Sequence, residues 1–326
     1  MAPARAGGPT HRRGDRHDGA MSLVVSSCVP RRTVLGEGVR WDAARRELLW
    51  VDIAEGRLMR QRVGAAGPLE DLGDLALDRP LGAVAPVEGD DGWLAAAGRG
   101  FARLGRDGSL APIAELAPAG HRVNDANVDH AGRAFVGTIS EGQETGAGAL
   151  HRLDRDGRTT QLLDGLTVPN GIDWSPDGTT MYLVESSPGL VWAFPFDAED
   201  GTLGPRRALI EPPPDAGGVP DGLTVDAAGD LWIAFFGAGA VRRHAPDGSL
   251  RRVIHLPATQ ATSCGFGGSA LDTLFVATAT EGYDEPRRER EPLSGTLMRI
   301  DGLDATGVPA RPFRPVGDWW AGLGAP

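Results

Sequence analysis

Lysine is missing altogether: all 33 basic side chains in the 326 residues are arginines. Schiff-base chemistry on a lysine amine and the phosphate-binding lysine of a P-loop are therefore excluded. The codon bias of a GC-rich genome is a sufficient cause. Cysteine is almost as scarce. Cys28 and Cys264 are the only two, too few for a disulfide framework in a chain of this length. No apolar run approaches the roughly 18 residues of a membrane helix, and Leu23–Val25 is too short for a signal-peptide core. These absences predict a cytoplasmic protein with no membrane partner. Positive charge is in deficit as well, the formal net charge being −11. An acidic surface repels nucleic acid unless a basic patch overrides it, and here the arginines are scattered. Their densest run, Arg287, Arg288 and Arg290, is mixed with Glu289 and Glu291 and reads as a solvated loop. Residues 1–20, rich in Arg, Gly and His, read as a disordered extension, with Met21 an alternative start. There is no Gly-x-Ser-x-Gly elbow, no His-Glu-x-x-His and no Gly-x-Gly-x-x-Gly. The seven histidines lie without metal-ligand spacing, and only His121 falls near the residues of interest below.

What is abundant is punctuation: 47 glycines and 25 prolines beside 41% hydrophobic residues. Many turns between short apolar elements suit an all-β protein. One phrase recurs, an apolar alternating run, an Asp-containing Gly turn, then a second apolar run. Val128-Asp129-His130-Ala131-Gly132 leads into Ala134–Gly137, Trp174-Ser175-Pro176-Asp177-Gly178 into Met181–Val184, and Val225-Asp226-Ala227-Ala228-Gly229 into Leu231–Ala234. The period is roughly 45 residues, the length of a four-stranded propeller blade. It predicts a six-bladed β-propeller whose units start near Gly36, Pro80, Arg122, Pro169, Pro220 and Ser263. Leu23–Thr33 would supply the outer strand that closes the ring and removes its sheet edges. The expected organisation is one propeller domain over residues 21–315 and a C-terminal tail over 316–326. Trp319 and Trp320 in that tail are expected to pack on the propeller's underside.

Three polar residues occupy equivalent places, each beside a glycine and entering an apolar strand. They are Glu37 in Leu35-Gly36-Glu37-Gly38, Asn170 in Val168-Pro169-Asn170-Gly171 and Asp221 in Val219-Pro220-Asp221-Gly222. Taken singly, the last two read as turns. Written one blade apart with the same following Gly and apolar residue, they read as one motif that converges on the channel. Their hard oxygen donors suit Ca2+, Mg2+ or Mn2+ better than a soft metal. Arg122-Val123-Asn124-Asp125 opens the third unit, and alternation places Arg122 and Asn124 on one side of a strand. They can hold a hydroxylated or carboxylated ligand.

The chain resembles the SMP-30/gluconolactonase/regucalcin (LRE) family of six-bladed propeller lactonases over roughly residues 23–313. The resemblance rests on Gly36-Glu37 with Trp41 and Leu49–Asp52, on Arg122–Asp125 with Asp129, Gly132-Arg133 and Gly137-Thr138, and on Pro169–Ser175. It continues in Pro220-Asp221-Gly222, Gly229, Leu231-Trp232 and Thr262–Gly268. It implies that Glu37, Asn170 and Asp221 bind one divalent ion in the channel, Ca2+ first, with Zn2+, Mn2+, Mg2+ or Fe2+ as substitutes. Arg122 and Asn124 would contact a small sugar-type lactone, with Glu141 near the place of a further acidic contact. Asp221 would be the base that activates or orients water, and the protein a monomer or small homo-oligomer. Two departures stand out: Gly142 competes with Glu141 for the aligned position, and Gly38-Val39-Arg40 replaces the usual Ser-Pro and apolar residue. The alternatives are a phosphotriesterase-like reaction on the same metal, or a calcium-binding propeller without turnover.

Overall fold

The computed structural model describes residues 23–64, 69–211, 213 and 217–323. Positions 1–20 and Met21 lie outside the described residues. Six four-stranded antiparallel sheets form the blades of a propeller. Their first, innermost strands are Gly36–Asp42, Leu81–Pro86, His121–Val128, Pro169–Trp174, Val219–Val225 and Ala261–Gly267. Each begins within two residues of the position that the repeat predicts. Blades 1 to 5 use four consecutive strands. Blade 6 takes its outer strand from the other end of the chain, Val24–Val29 pairing antiparallel with Leu297–Asp301.

The second strands, such as Glu47–Asp52 and Trp93–Ala97, are buried along their whole length. Period-two geometry sends alternate side chains to opposite faces of a sheet, and here a neighbouring blade covers each face. Leu48 and Trp50 pack with Phe275 and Leu297 of blade 6. Leu49 and Val51 pack with Leu81 and Trp93 of blade 2. Each fully buried side chain of this size contributes about 1.5–3 kcal/mol. Six such clusters, one between each pair of adjacent blades, make the core a ring rather than a centre. The axis is thereby left free for polar groups.

First strands run away from one end of the ring and second strands return to it. Starts of first strands and ends of second strands therefore share one face, called here the mouth. At the far face the chain continues past Asp301 as a strap across the blades. Gly307 N donates to Leu271 O, Arg314 N to Gly132 O and Phe313 N to Pro86 O, while Ala227 N donates to Thr306 O. Phe313 and Trp320 are buried between blades 2 and 3 with Trp319 against them. The Trp319 and Trp320 indoles donate to Arg155 O and Asp90 Oδ2, both at 2.9 Å. The tryptophan pair thus sits on the underside, as expected. The Arg287–Arg290 run differs from expectation, because Glu285–Arg290 is a short helix. Asp284 caps it by accepting from Arg287 N, and Pro286 in the first turn has no amide hydrogen to waste. None of its residues is buried, so the charge pattern was read correctly and the local geometry was not.

Candidate active site

Every first strand carries one extra residue near its start. In blades 1, 3, 4 and 5 three steps along the first strand oppose two on the second: Glu37 to Arg40 against Val51 to Leu49, and Pro169 to Ile172 against Glu185 to Leu183. Val123 to Ala126 and Pro220 to Leu223 repeat the pattern. Such a bulge turns a side chain out of the ladder, and here it turns the site residues toward the axis. The glycines beside them serve closeness. Gly171 and Gly222 are absent from the positive-φ positions, so Pro-Asn-Gly and Pro-Asp-Gly are strand starts and not turns. A Cβ on Gly171 would lie 2.8 Å from Asp221 O, and one on Gly222 would lie 2.8 Å from Ser263 Cα. Glycine lets neighbouring innermost strands approach around the axis.

Glu37, Arg122, Asn124, Asn170 and Asp221 all line one cavity of about 220 Å3 at the mouth. Asn170 Nδ2 donates to Asp221 Oδ1 and, at 3.2 Å, to Ser186 Oγ. Its Oδ1 is buried with no hydrogen-bond partner. Arg122 Nη1 donates to Asn124 Oδ1 at 2.8 Å and to Val123 O at 3.0 Å, and Asn124 Nδ2 donates to Pro169 O at 3.0 Å. The two side chains of blade 3 therefore share a side, as alternation predicted, and are held rigidly. Below them Arg40 crosses the channel from blade 1 to blade 3. It donates to Asn127 Oδ1 at 2.7 Å and lies 3.9 Å from Asp125 Oδ1. The departure at Gly38–Arg40 thus places a guanidinium beneath the cavity.

Burial dominates the electrostatics. Glu37, Asp125 and Asp221 are each no more than 6% exposed. Desolvation, followed by the charge of Asp125, pushes Glu37 up to about 8. Desolvation and then Glu37 push Asp221 well above the ordinary carboxylate range. Asp125 is raised by burial against the lowering effect of Arg40. Arg122 is pulled down by burial while the charges of Glu281 and Glu37 hold it up. Carboxylates raised this way have too little positive charge around them to offset their burial. No group of three or more His, Cys, Asp or Glu placed to hold a metal occurs among the described residues; the axial donors are two carboxylates and an amide. The orphaned Asn170 oxygen in the same cavity fits a hard divalent cation.

Two of the candidates stand apart. Glu141 is exposed and Gln143 lines the cavity instead. His121 is half-exposed, with Nδ1 3.4 Å from Ala119 O, and is not among the lining residues. Several of the lining residues that sequence reasoning missed share one origin. Ile53, Gln143, Ser186, Phe236 and Glu281 all stand at or just past the end of a second strand. Those strands return to the mouth, which brings their ends to the same face as the starts of the first strands.

Fold and cavity together define a closed six-bladed propeller with an oxygen-lined site on its axis. The chain belongs to the SMP-30/gluconolactonase/LRE-like family, whose model matches residues 35–280. It is 34% identical to regucalcin of Gallus gallus over 303 residues, covering 90% of this chain and 99% of that one. Pentonolactonase XacC of Haloferax volcanii is also 34% identical over 293 residues, 88% of this chain and 97% of the relative. Among solved structures, the calcium-binding protein regucalcin from Agrobacterium tumefaciens superposes with a TM-score of 0.82 at 30% identity, covering 88% of this chain and 96% of the other. No helix among the described residues is long and apolar enough to cross a membrane.

Proposed function

We propose that this protein is a divalent-metal-dependent lactonase that opens a small, sugar-type lactone, with Glu37, Asn170 and Asp221 holding the ion. The observation that carries the proposal is two buried carboxylates, both raised by desolvation, lining one cavity with an unpartnered amide oxygen. The likeness to a pentonolactonase supports the reaction class, and that to a calcium-binding regucalcin supports Ca2+. Bound there, a divalent cation would supply the positive charge that polarises an ester carbonyl and acidifies water. Asp221 is the base, its carboxylate taking the proton of the attacking water. Arg122 and Asn124, locked to each other at 2.8 Å, orient the ring and face the oxygen on which negative charge develops. Glu141 acts on Arg122 through its charge, a contribution at longer range than direct contact. The propeller over residues 21–315 acts as one unit, with 316–326 as its tail.

Acid release from a panel of aldonolactones, followed at constant pH, tests the proposal. Asp221→Ala, Asn170→Ala and EDTA treatment should each lower turnover at least about a hundredfold. Turnover that survives both EDTA and Asp221→Ala would remove the metal mechanism. Tight Ca2+ binding without turnover of any lactone would leave a binding propeller instead.

A further inference from the structure

Of the carboxylates that line the cavity among the described residues, Glu281 is the one that the roles above do not use. It follows the second strand of blade 6, Thr273–Thr278, and lines the same cavity as Glu37, Arg122 and Asp221. In a ring of six, blade 6 stands opposite blade 3, so Glu281 faces Arg122 across the mouth. Its charge acts on Arg122, Glu37 and Asp221. Its side chain is exposed and has no hydrogen-bond or ion-pair partner among the described residues. The backbone around it is fixed. Gln260 Nε2 donates to Glu281 O at 3.0 Å, and Thr280 is tied through N to Val34 O and through Oγ1 to Thr33 O. Behind it, Glu291 accepts from Tyr283 Oη, Ser294 Oγ and Thr259 Oγ1, which pins the loop. A free carboxylate on a fixed backbone is preorganised to accept hydrogen bonds from a ligand.

We infer that Glu281 sets the charge class of the substrate: it accepts hydrogen bonds from the hydroxyls of a neutral, polyhydroxylated lactone and turns away lactones that carry a carboxylate. The inference rests on the lactonase reading above. With the cation that Glu37 and Asp221 would hold offsetting their charges, Glu281 is left as the cavity's unpaired carboxylate, and a carboxylate on the ring that reaches its side of the mouth is repelled. Ring opening adds water across the acyl C–O bond and yields a hydroxy acid, which loses its proton at neutral pH.

The test compares kcat/KM for a neutral and an acidic lactone, D-glucono-1,5-lactone and D-glucaro-1,4-lactone, in wild-type protein and in Glu281→Gln. The amide keeps the shape and removes the charge. Opposite changes are expected: the neutral lactone falls about threefold with the weakened acceptor, and the acidic one rises about tenfold. Added salt should speed the acidic substrate in wild-type protein and not in Glu281→Gln. A fall of both substrates by one factor, or an unchanged ratio, overturns the inference while the lactonase reading stands. If wild-type protein hydrolyses neither lactone, the lactonase reading fails and the inference with it. Because Glu281 is exposed, folding is preserved, and an unchanged melting temperature in Glu281→Ala checks this.

Discussion

The cavity at the mouth end of this propeller and its far face bury carboxylates in opposite ways. At the far face each one is satisfied. Asp129 accepts from Arg133 N and, at 2.6 Å, from Arg133 Nε. Asp226 accepts from the Ala228 and Asp230 amides and the Trp232 indole. Asp173 accepts from Trp174 N, Val225 N and Arg311. Burial would push Asp90 up, yet its bonds to Arg103 and Trp320 hold it below the ordinary carboxylate range. In the cavity, among the described residues, Glu37 accepts only the amide of Gly38, at 3.1 Å, and the single side-chain donor to Asp221 is Asn170. Burial is the same; compensation differs. A satisfied buried network specifies structure, whereas an unsatisfied one stores a demand for a ligand.

Three measurements can break or sharpen this contrast. The largest effect is expected from Asp129→Ala, which strands the 5%-exposed Arg133 without its carboxylate. Denaturant unfolding should show a loss of about 3–5 kcal/mol. A loss below about 1 kcal/mol would mean that the far-face network is not structural. Glu291→Gln comes next. Glu291 lies on the mouth side yet is well bonded, so it separates location from satisfaction. The hydroxyls of Thr259, Tyr283 and Ser294, acting against burial, hold it down to about 2 from a usual 4.5. Its folded value is depressed, so its stabilisation is complete above pH 4.5 and lost as pH falls toward 2. Glu291→Gln should cost about 1–2 kcal/mol at neutral pH. The difference from wild type should vanish below about pH 2; a difference independent of pH would assign the effect to packing. Asp221→Asn should have the smallest effect on stability, since in EDTA it removes a carboxyl whose charge is opposed by burial and by Glu37. Its unfolding midpoint should equal or slightly exceed that of wild type, and a loss as large as that of Asp129→Ala would erase the distinction between the two ends.

Much of this was legible in the sequence, and the residues show why. Asn170-Gly171 and Asp221-Gly222 could be matched because a ring repeats its environment, and the bulges at both are identical. Their reading as isolated turns failed because Gly171 and Gly222 answer to the approach of the next blade, a contact between residues about 50 positions apart. Arg40 was visible as an oddity, but its reach to Asn127, 87 positions away, is set by the ring's curvature. Glu141 missed the cavity by two residues and Glu281 went unnoticed for one reason. Loops after second strands vary in length, and a single insertion shifts which side chain faces inward.

The closure of the ring by Val24–Val29 also bears on how the protein is made. Ser27 bonds Thr296 across 269 positions. A ribosome adding roughly 5–20 residues per second needs about 15–50 s to travel that far. Throughout that time the first strand has been synthesised while its only lateral partner does not yet exist. The hazard of an unpaired edge is that another chain adopts it. Its sequence, Val24-Val25-Ser26-Ser27-Cys28-Val29, is valine-rich and carries no charge or proline to blunt it, so the waiting strand is an open template for neighbouring nascent chains until Leu297–Asp301 emerges.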